Sequence, residues 1–247
     1  VAALVSVMRR NNESGVIEPV ADVVASAHRH GALVHCDAIQ AAGKIAVDIK
    51  ELGVDLMSVS AHKIGGPSGV GALIIPGLSD GTGVDLQGRF FGGGQEHGYR
   101  VGTENLPGIA GFGAAARAAK EGLDGFAKLA ELRQAIEDGV KAVSQTACII
   151  AEGIERLPNT CCISMPGTDS QTQVMALDLA NVGVSAGSAC SSGKAKASGV
   201  LQAMKVDDET ASSVIRVSLG WPSRQSDVDA FLSAWRELYE RRMAENI

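Results

Sequence analysis

The sequence predicts an α/β protein, a mostly parallel sheet flanked by helices, followed by a smaller α+β unit. Three observations lead there. Apolar runs at residues 1–8, 32–36 and 54–60 are separated by helical stretches, the pattern of strands joined by helical connections. Two of these runs end in polar chemistry, one at Asp37 and the other at His62 and Lys63. From about residue 147 the texture shifts to shorter strands and helices, closed by one well-formed helix.

Taken in order, VAALVSVM at residues 1–8 reads as a buried strand and residues 9–15 as a polar turn. Pro19 suits the first turn of a helix whose stripe is Val20, Val23, Val24 and Ala27, ending before Gly31. Residues 32–36, 54–60 and 70–75 follow as strands, the last closed by Pro76 and Gly77. Between residues 80 and 103 the pattern breaks into a polar loop centred on GGGQEHGYRVGTEN, and so long a loop is usually functional. Helix resumes at Leu106 and Pro107, with a boundary at Gly122 and Gly125 and a further helix over 126–143. Strands at 148–151 and 160–165, a helix at 172–180, a small-residue loop at 183–198 and a strand at 213–219 come next. Ser226 is expected to cap a last helix carrying Val228, Phe231, Leu232, Trp235, Leu238 and Tyr239 at helical spacing. These elements divide the chain into 1–122 and 123–247. Because the chain opens inside a strand, without Met, it is expected to be the carboxyl-terminal portion of a longer polypeptide.

Composition narrows the function. Of 247 residues, 45% are hydrophobic and 20% charged, enough for a sizeable core. A net charge of -6 with no Lys/Arg block argues against nucleic acid or a membrane surface as partner. No apolar run reaches the roughly 18 residues of a membrane span. Cysteines stand at 36, 148, 161, 162 and 190, an odd number without a C-x-x-C pair. That argues against a disulfide framework or a zinc site and for a reducing, cytoplasmic compartment.

In an open α/β sheet, ligands bind outside the carboxyl ends of the strands, so Asp37 and Lys63 are expected to face one crevice. A neutral lysine amine forms a Schiff base with an aldehyde cofactor, and an Asp paired with such a Lys is how proteins hold pyridoxal 5'-phosphate (PLP). Asp37 would keep the pyridine nitrogen protonated, and it equally suits an N-cap before Ala38. Gln40 is a candidate for the ring oxygen. Ser60 and His62 are candidate phosphate donors. Cys148, Cys161 and Cys162 read as small hydrophobes, whereas Cys190 sits in the polar segment VSAGSACSSGKAKASG, where a thiolate can reach substrate. Arg216, inside a strand, matches either a substrate carboxylate or a structural ion pair. Asn12 in NNESG is either turn chemistry or a ligand.

NNESGVIEP, HCDAIQAAGK, SAHKIGGPSGVGAL, GGGQEHGYRVGTEN, GSACSS and SSVIRVSLG occur in the order found in cysteine desulfurases. The chain thus resembles the iron–sulfur-cluster type of that group, in the class V branch of the fold-type I PLP enzymes. The resemblance implies that Lys63 carries the cofactor, Asp37 meets the pyridine nitrogen, Gln40 the ring hydroxyl, and Ser60 and His62 the phosphate. It implies that Asn12, beside the cofactor, and Arg216 hold the substrate carboxylate, and that Cys190 takes the sulfur of L-cysteine, leaving alanine. Thr103 would reach a partner's phosphate across a homodimer, and the sulfur would pass to an acceptor or scaffold protein. Two features of the group have no counterpart here, a glycine–threonine phosphate loop and a histidine stacked on the ring, and GKAKASGVL departs from the expected tail of the Cys190 segment. Residues 1–247 alone are therefore expected to form an incomplete site. Other readings are another class V PLP enzyme, such as a transaminase or selenocysteine lyase, or a non-catalytic scaffold.

Overall fold

The computed structural model describes residues 2–79, 81, 83–186 and 198–245. The chain divides into two compact units: Val1–Arg10 with Glu18–Leu123, and Asn11–Ile17 with Asp124–Ile247.

The first unit is built on strand β1 (Leu4–Met8), helix α1 (Val20–Arg29), β2 (Leu33–Asp37), helix α2 (Ile49–Leu52), β3 (Leu56–Ser60), β4 (Gly71–Ile74) and α3 (Leu106–Glu121). Strands β1, β2 and β3 are parallel, and β4 runs antiparallel beside β3. The mostly parallel sheet is as expected; the turned strand is not marked by periodicity. Its cause is the short connection over residues 61–70, since a parallel crossover needs about a dozen residues or more. Helix α1 buries Val20, Val24 and Ala27 against Val34, Cys36 and Met57 of the sheet. Asp55 ties the two together, its Oδ2 accepting the Val34 N–H at 2.7 Å and lying 2.9 Å from His28 Nε2. Helix α2, which the sequence pattern does not reveal, is set by its ends. Asp48 accepts from the Lys50 and Glu51 amides, and Gly53 closes the helix at φ +68°.

The other face of this sheet is different. Residues paired in register share a face, so Leu4, Ser6, Met8, Leu33, His35, Asp37, Ser58 and Leu73 line up together. Leu4, Met8, Leu33 and Leu73 are exposed there. His35 lies between two hydroxyls, with Nδ1 2.8 Å from Ser6 Oγ and Nε2 3.2 Å from Ser58 Oγ.

Helix α4 (Leu123–Ala127) spans the boundary between the units. The second unit continues with α5 (Leu129–Val143), β5 (Thr160–Ser164), α6 (Ser170–Leu179), β6 (Ser185–Ala186), α7 (Gly199–Ala203), α8 (Asp208–Ser212), β7 (Val214–Ser218) and α9 (Gln225–Glu245). Its sheet has the order β5-β7-β6, antiparallel throughout. Every residue of β5 is buried. Cys161, Ile163, Ile215 and Val217 face a core with Ile136, Val140, Phe231 and Trp235, while Cys162 and Val214 face Ile150 and Leu201.

Four local expectations change. Strand β1, expected to be buried, is half exposed, with Leu4 and Met8 open on one face. The stretch at 148–151 is an isolated bridge, Ile149 to Ile163, rather than a strand. The helix expected over 126–143 is two, α4 and α5. Ser226 lies inside α9 rather than capping it; Asp227 does the capping work, its Oδ2 accepting the Arg224 N–H at 3.0 Å.

Candidate active site

In the first unit, the carboxyl ends of the neighbouring parallel strands β2 and β3 bring the expected residues together. Asp37 is the last residue of β2, in register with Met8 on one side and Ser58 on the other. Its carbonyl accepts the Arg9 N–H at 2.8 Å, which fixes the backbone. Its Oδ1 accepts the Ile39 N–H at 2.9 Å and caps a turn rather than a helix. Oδ2 makes no hydrogen bond among the described residues and remains an open acceptor. Gln40 lies in that turn, with Oε1 accepting from Lys44 Nζ at 3.1 Å. Its amide nitrogen is left to donate, as a ring oxygen requires.

Lys63 ends a one-turn 3-10 helix, Ala61–Lys63, directly after β3. It is exposed and makes no ion pair among the described residues. Ser60 Oγ and His62 Nδ1 lie 2.8 Å apart beside it. The glycines that follow serve the chain itself. Gly65 has φ +82°, and a Cβ on Gly71 would stand 2.8 Å from the Val59 carbonyl oxygen. They fold the connection to β4 rather than forming a ligand cradle on their own. The open carboxylate oxygen, the unpaired lysine and the hydroxyl–imidazole pair fit the cofactor that the sequence implies.

Thr103 is exposed at the end of the long loop, and its carbonyl accepts from Arg100 Nη1 at 3.2 Å. Its side chain makes no hydrogen bond among the described residues.

The second unit holds the other group of candidates. Arg216, in the middle of β7, directs Nη1 to the Asn12 carbonyl at 2.9 Å. Its Nε is buried without a hydrogen-bond partner, and no carboxylate pairs with it among the described residues. That disfavours the structural ion pair and leaves a cation suited to a carboxylate ligand. The turn chemistry in NNESG belongs to Asn11, whose Oδ1 accepts the Glu13 and Ser14 amides at 2.9 and 3.0 Å. Asn12 is thereby spared that duty. Sequence reasoning missed Asn11, although an Asn two residues before a polar amide is a common Asx turn. Cys190 lies outside the described residues.

Cys36, Cys161 and Cys162 are buried structural thiols, whereas Cys148, expected as a small hydrophobe, is exposed. Burial pushes Cys36 up to about 11, a rise that nearby Arg9 opposes and Asp37 reinforces. Burial raises Cys161 further, with Glu137 adding to it. Neither is a ready thiolate.

A carboxylate and a lysine at adjacent strand ends of an α/β sheet, the lysine without an ion pair among the described residues, suit a PLP-binding fold. The chain belongs to the class-V aminotransferase family, whose profile matches residues 1–231. It is 42% identical to a cysteine desulfurase of Cereibacter sphaeroides over 93% of this chain and 58% of that protein. It is 39% identical to the cysteine desulfurase IscS of an Anaeromyxobacter species, over 92% of this chain and 55% of the relative. Among solved structures, a NifS-like protein from Rickettsia africae superposes with a TM-score of 0.85 at 36% identity, covering 96% of this chain and 62% of that one. The resemblance carried by the six motifs therefore holds. The chain spans about three-fifths of the length of these relatives.

Proposed function

We propose that the protein carrying this chain is a PLP-dependent cysteine desulfurase that converts L-cysteine to L-alanine and leaves the sulfur on Cys190. The observation that carries this reading is the adjacency of two parallel strand ends, Asp37 closing β2 with one open oxygen and Lys63 following β3 with no acid partner among the described residues. The relatives named as cysteine desulfurases support the choice of substrate.

Lys63 Nζ would anchor the cofactor's aldehyde, Asp37 Oδ2 its pyridine nitrogen, the Gln40 amide its ring oxygen, and Ser60 with His62 its phosphate. When bound, PLP supplies an electron sink for the substrate's α-carbon. Arg216 and Asn12 orient the substrate by its carboxylate. The Cys190 thiolate forms an S–S bond to the substrate sulfur as the Cβ–S bond breaks. The bonding pair stays with the carbon skeleton, which takes a proton and leaves as alanine. A persulfide remains on Cys190 for an acceptor protein.

Two further parts of the reading have their own support. A homodimer is supported by the exposed Thr103 and by exposed Phe90, Phe91, Leu106 and Ile109 in the same unit. A cytoplasmic setting is supported by four free cysteines, and no described helix is long and apolar enough to cross a membrane.

The test is Cys190→Ala in the protein that carries this chain. Persulfide formation and sulfide release should vanish while cofactor absorbance is retained. Undiminished sulfide release would sink the desulfurase reading, and unaltered amino transfer would point to a transaminase. Complete absence of a cofactor band in the wild-type protein would favour a scaffold.

A further inference from the structure

The turn over residues 11–15 is held far more firmly than its own sequence requires, and Glu13 is the residue that holds it. Its backbone N–H donates to Asn11 Oδ1 at 2.9 Å. Its carbonyl accepts from Cys162 Sγ at 3.1 Å, a buried thiol of β5. Its carboxylate Oε2 accepts from Ser198 Oγ. Ser198 is itself buried, and its Oγ accepts the Leu201 N–H at 3.1 Å as the N-cap of α7. The hydroxyl thus has its acceptor role committed to the helix and its proton committed to Glu13.

The same turn carries Asn12, whose carbonyl takes Arg216 Nη1. Arg216 is in register with Cys162 on β5, so one residue pair of the sheet grips both ends of the peptide that follows Asn12: Cys162 at the Glu13 carbonyl, Arg216 at the Asn12 carbonyl. A carboxylate is not needed to make this turn, because Asn11 already makes it. What the carboxylate adds is a tie between the turn and Ser198, the N-cap of α7.

We infer that Glu13 is a positioning residue for the substrate carboxylate, clamping the Asn12–Arg216 pair through its contacts with Ser198 and Cys162. This rests on the assignment of Asn12 and Arg216 to the substrate carboxylate in the proposed function. Glu13 does not touch the substrate; it fixes the backbone from which Asn12 reaches. Misplacement of such a group weakens substrate binding far more than it alters the chemical step.

The experiment uses the cofactor-loaded protein that carries this chain and reads two quantities: KM and kcat for L-cysteine, and the Kd of L-alanine by titration of cofactor absorbance. Glu13→Ala and Ser198→Ala are each expected to raise KM and the alanine Kd about tenfold while kcat falls less than threefold. Glu13→Gln, which keeps an acceptor oxygen, should recover most of the loss. The double variant should be no worse than either single one, the signature of one shared contact. An unchanged alanine Kd in Glu13→Ala would overturn the inference, as would equal losses in kcat and KM with no rescue by Gln. If the wild-type protein binds alanine with this dependence but releases no sulfide from cysteine, the desulfurase reading falls and the role of Glu13 stands. If the wild-type protein binds no alanine, both fall.

Discussion

The two sheets of this chain are finished to different degrees. The β5-β7-β6 sheet is covered on both faces, by Trp235, Phe231 and Ile136 on one side and by Ile150 and Leu201 on the other. The β1–β4 sheet packs one face against α1 and leaves Leu4, Met8, Leu33 and Leu73 exposed on the other, beside Asp37. The difference sets a closed core against an open face that carries the candidate site. The second unit draws its stability from a closed core and places Arg216 on a rigid strand. The first unit spends the equivalent surface on a polar row, His35, Asp37, Ser58 and Ser60, that a packed core would have to exclude.

The comparison can be broken most sharply at its largest side chain. Trp235 is fully buried and stacks on Tyr239 with centroids 5.7 Å apart. Trp235→Ala should cost roughly 3–5 kcal/mol. Val34→Ala, equally buried under α1, should cost only about 1.5 kcal/mol for the two methyl carbons lost. Denaturant titration of both variants should preserve that order; a larger loss at Val34 would mean the first unit holds the more tightly packed core.

A second lever is ionic. Glu137 is buried on α5 and accepts from Arg156 Nη1 at 2.9 Å and Nη2 at 3.1 Å. Arg156 also bridges to Val16, so this pair supports the segment that carries Asn12. Glu137→Gln leaves a buried guanidinium without a counter-charge and should cost about 3 kcal/mol. Amide exchange of Val16 and Ile17 should accelerate with it, and unchanged exchange there would separate the ion pair from the turn.

The smallest effect is a pH dependence in the first unit. Cys36 ordinarily ionises at 9.0, and its burial raises this to about 11 in the folded protein. Below pH 9 the thiol is protonated folded or unfolded, so its contribution is fully present. As pH rises from 9 to about 11 only the unfolded chain loses the proton, and stability falls across that window. Cys36→Ala should flatten this part of the stability profile, measured by denaturant titration at pH 8 and 10. A slope that persists in the variant would assign the loss to another group.

Much of this was readable in the sequence. Apolar runs and Pro19 located β1, α1, β2 and β3 to within a few residues, and their polar ends located Asp37 and Lys63, because strand periodicity and strand-end chemistry are local properties. Strand direction is not local, and β4 showed itself antiparallel only through the shortness of residues 61–70. Helices α2, α7 and α8 were missed because each is four or five residues long and is fixed by a cap, Asp48, Ser198 or Asp207, rather than by a stripe. Arg216 stayed ambiguous in the sequence because its neighbours come from β5 and the Asn12 turn, and among the described residues no carboxylate pairs with it. The Asx turn of Asn11 is local and its signal was present in NNES. The contacts of Glu13 are with Cys162 and Ser198, which are remote in the chain, so no spacing rule could have exposed them.

The central claim is that Lys63 is the residue that holds the cofactor. Loading the protein that carries this chain with PLP, reducing it with borohydride and mapping its peptides by mass tests that claim directly. The account predicts one pyridoxyl-modified lysine, Lys63, with the modification absent from Lys63→Ala. A modification on Lys44 or another lysine instead, or none in a protein that still releases sulfide from cysteine, would contradict it.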